Sequence, residues 1–289
     1  MTNSYKQALR KLTSMTLYYS GASSFSRILG FKQGFRILCY HGINLNPTNH
    51  YAVNIIDFAL QMEYLLHSDI EIVSIDELLK NEKESTPISN GRIAISFDDG
   101  YLDFYQYAFP ILNEYKIPAT VFLPTGFLDQ KITSDNRSCL PQSQFLTWDQ
   151  VREMYQYGIN FGSHSISHRS LSTMDKLQIS RELSLSKQRM ETEIGAEING
   201  FAFPYGTYRD IPADAEKLLE DNGFSWAVTS ISGINKSSTN RALLRRIVIY
   251  AEDGLRDFHR LLYGSLDSWF IPQKIGNYLK KMSIKGNTE

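Results

Sequence analysis

The chain has 289 residues, of which 42% are hydrophobic and 21% are charged, a composition typical of a globular protein with a sizeable core. Its 30 basic residues balance 31 acidic ones, and the formal net charge of −1 gives no indication of a nucleic-acid partner. Two cysteines, Cys39 and Cys139, are too few for a disulfide framework or a cysteine-bound zinc site. The sequence contains no unbroken apolar run long enough to predict a membrane-spanning helix.

Residues 1–35 predict an N-terminal helical arm that precedes a catalytic domain over residues 36–289. Three basic residues precede the apolar run 12–19, but Thr and Ser interrupt that run, which is unlike the core of a secretory signal. We therefore expect a cytoplasmic protein. Two interpretations of the arm stay open at this stage: it packs against the main domain, or residues 1–30 make peripheral contact with the inner membrane leaflet.

Strands and helices are predicted in alternation along the rest of the chain. The predicted strands are 36–40, 71–74, 92–97, 118–123, 159–163, 199–203, 224–229 and 246–250. The predicted helices are 56–67, 76–80, 101–116, 148–157, 173–194, 212–222, 254–263 and 271–282. Loops are predicted at 81–91 and 124–146. Such alternation predicts an α/β fold with parallel strands and outer helices, which a closed barrel or an open doubly wound sheet would both satisfy.

Reactive side chains follow several of the predicted strands. Asp98 and Asp99 come directly after one strand, His164 after another, and Pro204 and Tyr205 after a third. Because the carboxyl ends of parallel strands share one face of a barrel, chemistry gathers there. We therefore expect these residues, distant in sequence, to lie close together.

His164 and His168 are four positions apart, so in a helical conformation both imidazoles would lie on one side and could share an ion. Asp99 could add a carboxylate ligand, and such a set leaves coordination positions open for water and substrate. Asp98 could then accept a proton as general base. Each group alone has an ordinary explanation, a turn or a surface pair, but their occurrence at successive strand ends favours a catalytic metal site.

Three short segments resemble the motifs of the polysaccharide deacetylase family, also called the NodB-homology domain or carbohydrate esterase family 4. Residues 96–100 (SFDDG) resemble its first motif, residues 163–168 (SHSISH) its second, and residues 203–206 (FPYG) its third. The early residues 39–42 (CYHG) are also typical of the family. Ala202, where many members have an Arg, is shared with members that act in exopolysaccharide biosynthesis, the type that this chain resembles. The resemblance extends over residues 36–250.

This resemblance implies a distorted (β/α) barrel of about seven parallel strands and a divalent metal. Zinc is the first expectation, with Co²⁺, Mn²⁺ and Ni²⁺ as alternatives. The matching positions imply that Asp99, His164 and His168 bind the metal and that Asp98 is the base. The partner implied is an N-acetylated sugar, a glycan or a lipid-linked precursor.

The third motif carries further implied roles and one departure. By resemblance, the backbone N–H of Tyr205 helps hold the oxyanion, and Pro204, Tyr205 and Trp148 contact the substrate. Many members have an Arg that orients the base at the position of Ala202. Arg246 is the candidate replacement, and a structural ion pair or a surface charge is the alternative interpretation of that residue.

A late Leu-x-His, whose imidazole protonates the leaving amine in many members, is also missing. The only late histidine, His259, lies in a predicted helix and is interpreted as structural. His41 follows the first strand and is the better candidate for the acid, with a packed core histidine as the alternative.

The sequence thus predicts a metal-dependent hydrolase that removes N-linked acetyl groups from amino sugars of a polysaccharide or its lipid- or nucleotide-linked precursor. The alternatives are a deformylase or other non-peptide amide hydrolase, and a catalytically degenerate carbohydrate-binding protein.

Overall fold

The computed structural model describes residues 3–20, 34–47, 49–80, 91–131 and 144–285. Its strands are β1 Phe35–Tyr40, β2 Gly42–Asn44, β3 Ala52–Asn54, β4 Glu71–Ile72, β5 Arg92–Phe97, β6 Ala119–Leu123, β7 Asn160–Ser163, β8 Gly200–Ala202, β9 Trp226–Val228 and β10 Ile247–Val248. Its α-helices are α1 Asn3–Tyr19, α2 Ile55–Leu66, α3 Ile75–Lys80, α4 Phe109–Glu114, α5 Thr125–Leu128, α6 Trp148–Gln156, α7 Lys176–Ile194, α8 Ala215–Asp221, α9 Leu255–Leu262 and α10 Phe270–Lys285. Cys139 and most of the two predicted loops lie outside the described residues.

The main sheet is parallel throughout and runs in the order β10-β1-β5-β6-β7-β8-β9, with the short β4 paired to the start of β5. The chain that leads into β10 also pairs with β9, because Leu244 N donates to Ala227 O and Thr229 N donates to Leu244 O. These bonds carry the sheet round towards its own first strand. The expected distorted (β/α) barrel of about seven parallel strands is therefore confirmed, and the open doubly wound sheet is not adopted.

The central strands are buried on both faces. Every residue of β1 and of β6 is buried, as expected for parallel strands with side chains inside the barrel and helices outside it. Two of the outer helices begin with a reciprocal cap: Thr147 and Gln150 at α6, and Asp175 and Gln178 at α7. Sequence-local signals therefore place these helices, and burial of their apolar faces fixes them on the sheet.

The structure differs from the expected elements in several places, among them the short helix α5 inside the loop expected at 124–146. The helix expected at 101–116 contains a π-helical segment, Phe104–Ala108, before α4. A small parallel pair, β2 with β3, was not anticipated. Residues 164–168 are not helical but form a loop with bends. The expectation that a helical conformation places His164 and His168 on one side was therefore wrong.

Helix α1 packs on the barrel close to α9. Arg10 donates to both carboxylate oxygens of Asp253, at 2.9 and 3.0 Å, and the hydroxyl oxygens of Ser14 and Ser265 lie 2.6 Å apart in a buried contact. The described part of the arm thus has specific partners on the main domain. Within the ranges that the structure describes, no helix combines the length and apolar character needed to cross a bilayer.

Candidate active site

A carboxylate and two imidazoles meet beyond the carboxyl ends of β5 and β7. The Nε2 atoms of His164 and His168 lie 3.4 and 3.0 Å from Asp99 Oδ1, and one ligand atom from each residue lies within 4.8 Å of the others. Asp99 Oδ1 is buried, and no donor in the described ranges meets it with hydrogen-bond geometry. A buried acceptor without a donor beside two imidazole nitrogens fits a cation, so these residues suit a divalent metal.

The His164 ring is oriented by a contact behind it. Its Nδ1 lies 2.8 Å from Ala202 O, at the end of β8, and this contact assigns the ring proton to Nδ1. The lone pair of Nε2 then faces the cluster, which is the orientation that a metal-binding histidine needs.

The His168 ring reaches the same cluster through an irregular loop. Its imidazole centre lies 4.7 Å from that of His164, and its backbone N–H donates to Ser165 Oγ at 3.0 Å. Glu182 of α7 accepts hydrogen bonds from the backbone N–H groups of Ile166 and Ser167, at 2.8 and 2.9 Å. Long-range contacts therefore bring the two imidazoles together, in place of helical spacing.

Left-handed backbone is concentrated at this cluster. Asp99, Ser165, His168 and Tyr205 have φ values of 72°, 65°, 51° and 60°. Residues with side chains adopt this region at a cost, and such strained positions tend to gather where function requires a fixed geometry.

Asp98 is held by a buried arginine. The Nη1 and Nη2 atoms of Arg246 donate to the two Asp98 carboxylate oxygens, each at 2.6 Å, and Arg246 Nε donates to Thr229 O at 2.9 Å. Arg246 is fully buried, so the surface-charge interpretation of this residue was wrong. Its contact with Asp98 is the geometry required of an arginine that orients a base, and that role stays a prediction.

The two aspartates are both favoured as carboxylates. Burial alone would raise the pKa of Asp98, but Arg246, His164 and His41 together outweigh it, so the pKa lies below its ordinary value. Burial also acts to raise the pKa of Asp99. The neighbouring His168 and His164 have the opposite effect and prevail, so this pKa lies well below its usual range. Both side chains are therefore ionised near neutral pH.

His41 lies on the same edge of the barrel. One ring nitrogen of His41, the Cys39 sulfur and an Asp98 oxygen lie within 4.8 Å of one another. His41 Nδ1 is buried and makes no hydrogen bond to any other described residue. Burial lowers the pKa of His41, although Asp99 and Asp98 act in the opposite direction, so the neutral ring is favoured. The structure brings His41 to the site, and its assignment as the acid stays a prediction.

The third motif forms a tight turn beside His168. Pro204 is buried, whereas the Tyr205 side chain is 38% exposed and its ring centre lies 5.1 Å from that of His168. Gly206 has φ 58°, and a Cβ there would lie 2.6 Å from Ser230 N, so only glycine fits. The turn thus places Tyr205 at the mouth of the site, while the roles of Pro204 and Tyr205 stay predictions.

Trp148 takes part in an ion-pair network next to α5. Its indole Nε1 donates to Asp129 Oδ1 at 2.8 Å, and the Arg189 guanidinium lies 5.1 Å from its ring centre while pairing with Asp129. These contacts are structural ones between helices. The expected contact of Trp148 with substrate stays a prediction.

Sequence reasoning missed one contact of the candidate base. The Cys39 thiol donates to Asp98 Oδ2 at 3.6 Å, a long sulfur hydrogen bond inside the barrel. Cys39 pairs in register with Ser96, two residues before Asp98, so the alignment of β1 with β5 could have indicated it.

Comparison with known proteins supports the same family. The family model described as polysaccharide deacetylase matches residues 86–225, a range that contains all three motifs. The Bacillus subtilis protein YxkH is 27% identical over 211 residues, which are 73% of this chain and 70% of that protein. A poly-beta-1,6-N-acetyl-D-glucosamine N-deacetylase of Staphylococcus epidermidis is 29% identical over 189 residues, 62% of each chain.

Solved structures share the fold. The Streptococcus pyogenes deacetylase PplD in complex with acetate aligns with a TM-score of 0.68 and 22% identity over 79% of this chain and 98% of that one. IcaB from Ammonifex degensii aligns with a TM-score of 0.63 and 22% identity over 80% and 96% of the respective chains. The barrel, the motifs at its strand ends and the match of the family model over residues 86–225 all agree, and over these residues the chain resembles the polysaccharide deacetylase family.

Proposed function

We propose that this protein is a metal-dependent hydrolase that removes N-linked acetyl groups from amino sugars of a polysaccharide or its lipid- or nucleotide-linked precursor. One observation carries the proposal: Asp99, His164 and His168 form a cluster that could hold a cation, directly beside Asp98, which Arg246 holds in place. The relative from Staphylococcus epidermidis, named for the deacetylation of poly-beta-1,6-N-acetyl-D-glucosamine, supports a glycan substrate.

The metal proposed for Asp99, His164 and His168 is zinc. One carboxylate and two imidazoles are ligands that zinc accepts at catalytic sites, and Co²⁺, Mn²⁺ or Ni²⁺ could use the same set. When bound, such an ion acts as a Lewis acid towards the acyl oxygen and activates water.

The protein's own groups supply the proton transfers. Asp98 is ionised and buried, and as general base it accepts a proton from the attacking water. Arg246 fixes the Asp98 carboxylate by two parallel hydrogen bonds, which limits the rotation of the base.

Two further groups act on the acyl group and the leaving amine. The backbone N–H of Tyr205 donates to the oxygen that becomes negatively charged during attack, a role that a fixed donor performs well. His41 is the candidate that passes to the leaving amine the proton that Asp98 has taken from the attacking water, because a His41 ring nitrogen lies within 4.8 Å of an Asp98 oxygen.

The two alternatives from the sequence are not favoured. The cation site and the base are both complete, which argues against a degenerate binding protein. The family match and the named relatives favour acetyl over formyl as the group removed.

The test is release of acetate from N-acetylglucosamine oligomers, measured on zinc-loaded, chelator-treated and zinc-restored protein. The proposal expects release that chelation abolishes and zinc restores. Release that persists in full after every metal has been removed would contradict metal dependence, and no release from any N-acetylated sugar in a panel of polymeric, lipid-linked and nucleotide-linked compounds would contradict the activity.

We also propose a cytoplasmic setting with peripheral contact at the inner membrane through residues 1–30. Helix α1 carries exposed apolar side chains on its outer surface, at Leu9, Leu12, Met15 and Tyr19. Sedimentation with vesicles of anionic phospholipid tests this contact. Replacement of Leu9 and Leu12 by serine should reduce the bound fraction, and an unchanged bound fraction would contradict it.

A further inference from the structure

Aromatic side chains lie close to two parts of the candidate active site. Tyr205 lies beside His168. Near His41, the residues His50, Tyr51 and Tyr250 form a cluster that we call the aromatic platform. The ring centre of Tyr51 lies 4.1 Å from that of His50 and 5.6 Å from that of Tyr250, and all three residues are half-buried. The platform is thus partly exposed aromatic surface next to a hydrolytic centre.

His41 connects the platform to the candidate base. The ring centre of Tyr51 lies 5.0 Å from that of His41. A His41 nitrogen in turn lies within 4.8 Å of an Asp98 carboxylate oxygen. The platform therefore lies one side chain away from the reacting groups, a separation suited to the next unit of a bound chain.

Helix α1 holds the platform in place. The Arg10 guanidinium lies 4.8 Å from the ring centre of Tyr250 and donates to both carboxylate oxygens of Asp253. Asp253 Oδ2 also accepts a hydrogen bond from Tyr250 N at 3.0 Å, so a single buried carboxylate ties the helix to the turn that carries Tyr250.

The two loops that carry the platform are also tied to each other. Ala251 N donates to His50 O at 2.8 Å, which joins the segment before β3 to the segment after β10. The cation–π contact of Arg10 with Tyr250, the bidentate ion pair of Arg10 with Asp253 and the backbone hydrogen bond between the loops therefore fix the platform in position. The platform is preorganised, and preorganisation reduces the entropic cost of binding a ligand.

From this geometry we infer that the aromatic platform is a subsite for a second sugar ring, the neighbour of the residue that is deacetylated. Aromatic side chains present an apolar face and a polar tip, which matches the mixed apolar and hydroxylated surfaces of a pyranose ring. The inference rests on the proposed function and narrows its substrate to an oligomer or polymer, because such a subsite binds a second sugar ring in addition to the one that is deacetylated. All three platform residues lie outside residues 86–225, so this feature is separate from the family match.

The experiment compares two substrates on variants of the platform. Acetate release is measured on a β-1,6-linked N-acetylglucosamine tetramer and on methyl N-acetylglucosaminide. Tyr51→Leu and Tyr250→Leu keep an apolar side chain but remove the flat face, and each should lower kcat/KM for the tetramer about tenfold. For the monosaccharide, kcat/KM should change by less than about twofold in the same variants. Tyr51→Phe and Tyr250→Phe should keep tetramer activity, because the stacking face remains.

Controls separate the subsite from folding and from the proposed function. Tyr155→Leu replaces an exposed tyrosine of α6 and should leave both substrates unchanged. Binding of the tetramer, measured by calorimetry on protein that carries Asp98→Asn, reports on the subsite without turnover. Equal loss for both substrates, or unchanged tetramer binding in the Leu variants, would overturn the subsite. Absence of acetate release from either substrate by the unaltered protein would instead refute the activity, while the calorimetric comparison still decides the subsite.

Discussion

Asp98 and Asp99 are neighbours in sequence, yet their side chains have different surroundings. Asp98 pairs with Arg246, whereas Asp99 faces His164 and His168. The left-handed backbone at Asp99, with φ 72°, turns the two carboxylates apart. A single residue's backbone conformation therefore separates the candidate base from the candidate metal ligand.

Replacing the candidate base tests this division. Asp98→Asn should lower kcat by about 10²–10⁴-fold, because an amide cannot accept the proton that a general base takes. Zinc affinity should change little, since the three metal ligands remain. Calorimetric zinc titration and acetate release measure the two effects. A variant that loses zinc binding together with activity would show that Asp98 is a ligand and not the base.

The buried ion pair between Arg246 and Asp98 also affects the free energy of unfolding. Arg246→Met should lower the free energy of unfolding by about 3–5 kcal/mol, because it leaves the Asp98 carboxylate buried without its partner. The double variant Arg246→Met with Asp98→Asn removes both charges and should recover part of this loss. Chemical denaturation measures all three proteins. Additive losses in the double variant would mean that the pair is not coupled.

At the scale of elements, the second motif depends on a helix distant in sequence. Glu182 on α7 accepts the backbone N–H groups of Ile166 and Ser167 and the hydroxyl of Ser167. The helix thus stabilises the loop that presents His168, and through that loop it acts on the metal site.

Glu182→Ala should therefore lower zinc affinity by about 10–100-fold, the size of effect typical of groups that orient metal ligands. Arg181→Ala, the preceding exposed position on the same helix, is the matched control and should leave affinity unchanged. Competition with a fluorescent chelator measures both. Wild-type affinity in Glu182→Ala would show that the loop keeps its shape without this contact.

A second element-scale prediction concerns Asp103, which lies between the end of β5 and the π-helical segment. Burial raises the pKa of Asp103 to about 7, although the backbone of Ile43 in β2 and of Phe104 acts to lower it. The folded state therefore binds this proton more tightly than the unfolded chain does. The contribution is a loss of stability that grows as pH rises from about 4 to about 7 and is constant above that.

Asp103→Asn should consequently be more stable than the parent at pH 8, by on the order of 2 kcal/mol after allowance for partial solvent exposure. The difference should shrink towards pH 4, where both side chains are neutral. Urea denaturation at several pH values measures it, with the exposed Asp69→Asn as a control for loss of a carboxylate. A stability difference that does not vary with pH would contradict the raised pKa.

At the scale of the whole molecule, the sequence could predict whatever depends on short-range pattern. Alternating strands and helices predicted a parallel α/β fold, and the family resemblance implied the barrel. Asp98, Asp99 and His164 followed from the positions at which strands end. Because the carboxyl ends of parallel strands share one face of a barrel, the sequence also predicted that these residues lie close together.

The remaining features depend on contacts between distant segments. The loop at 164–168 takes its shape from Glu182 and from neighbouring strands, so helical spacing was the wrong reason for the proximity of the two imidazoles. Arg246 reaches Asp98 across 148 positions because β10 lies beside β1 and near β5 in the barrel. Likewise, the contact of Arg10 with Tyr250 requires the arm to fold back onto the last strand, which no local pattern encodes.

The most direct test of the account is a zinc-edge anomalous difference map from crystals of the zinc-loaded protein. We predict a single strong peak within about 2.0–2.2 Å of Asp99 Oδ1 and of the Nε2 atoms of His164 and His168. Asp98 should stay paired with Arg246 outside direct coordination of that ion. A peak held instead by Cys39 and His41, or no peak at Asp99 in fully loaded protein, would contradict the account.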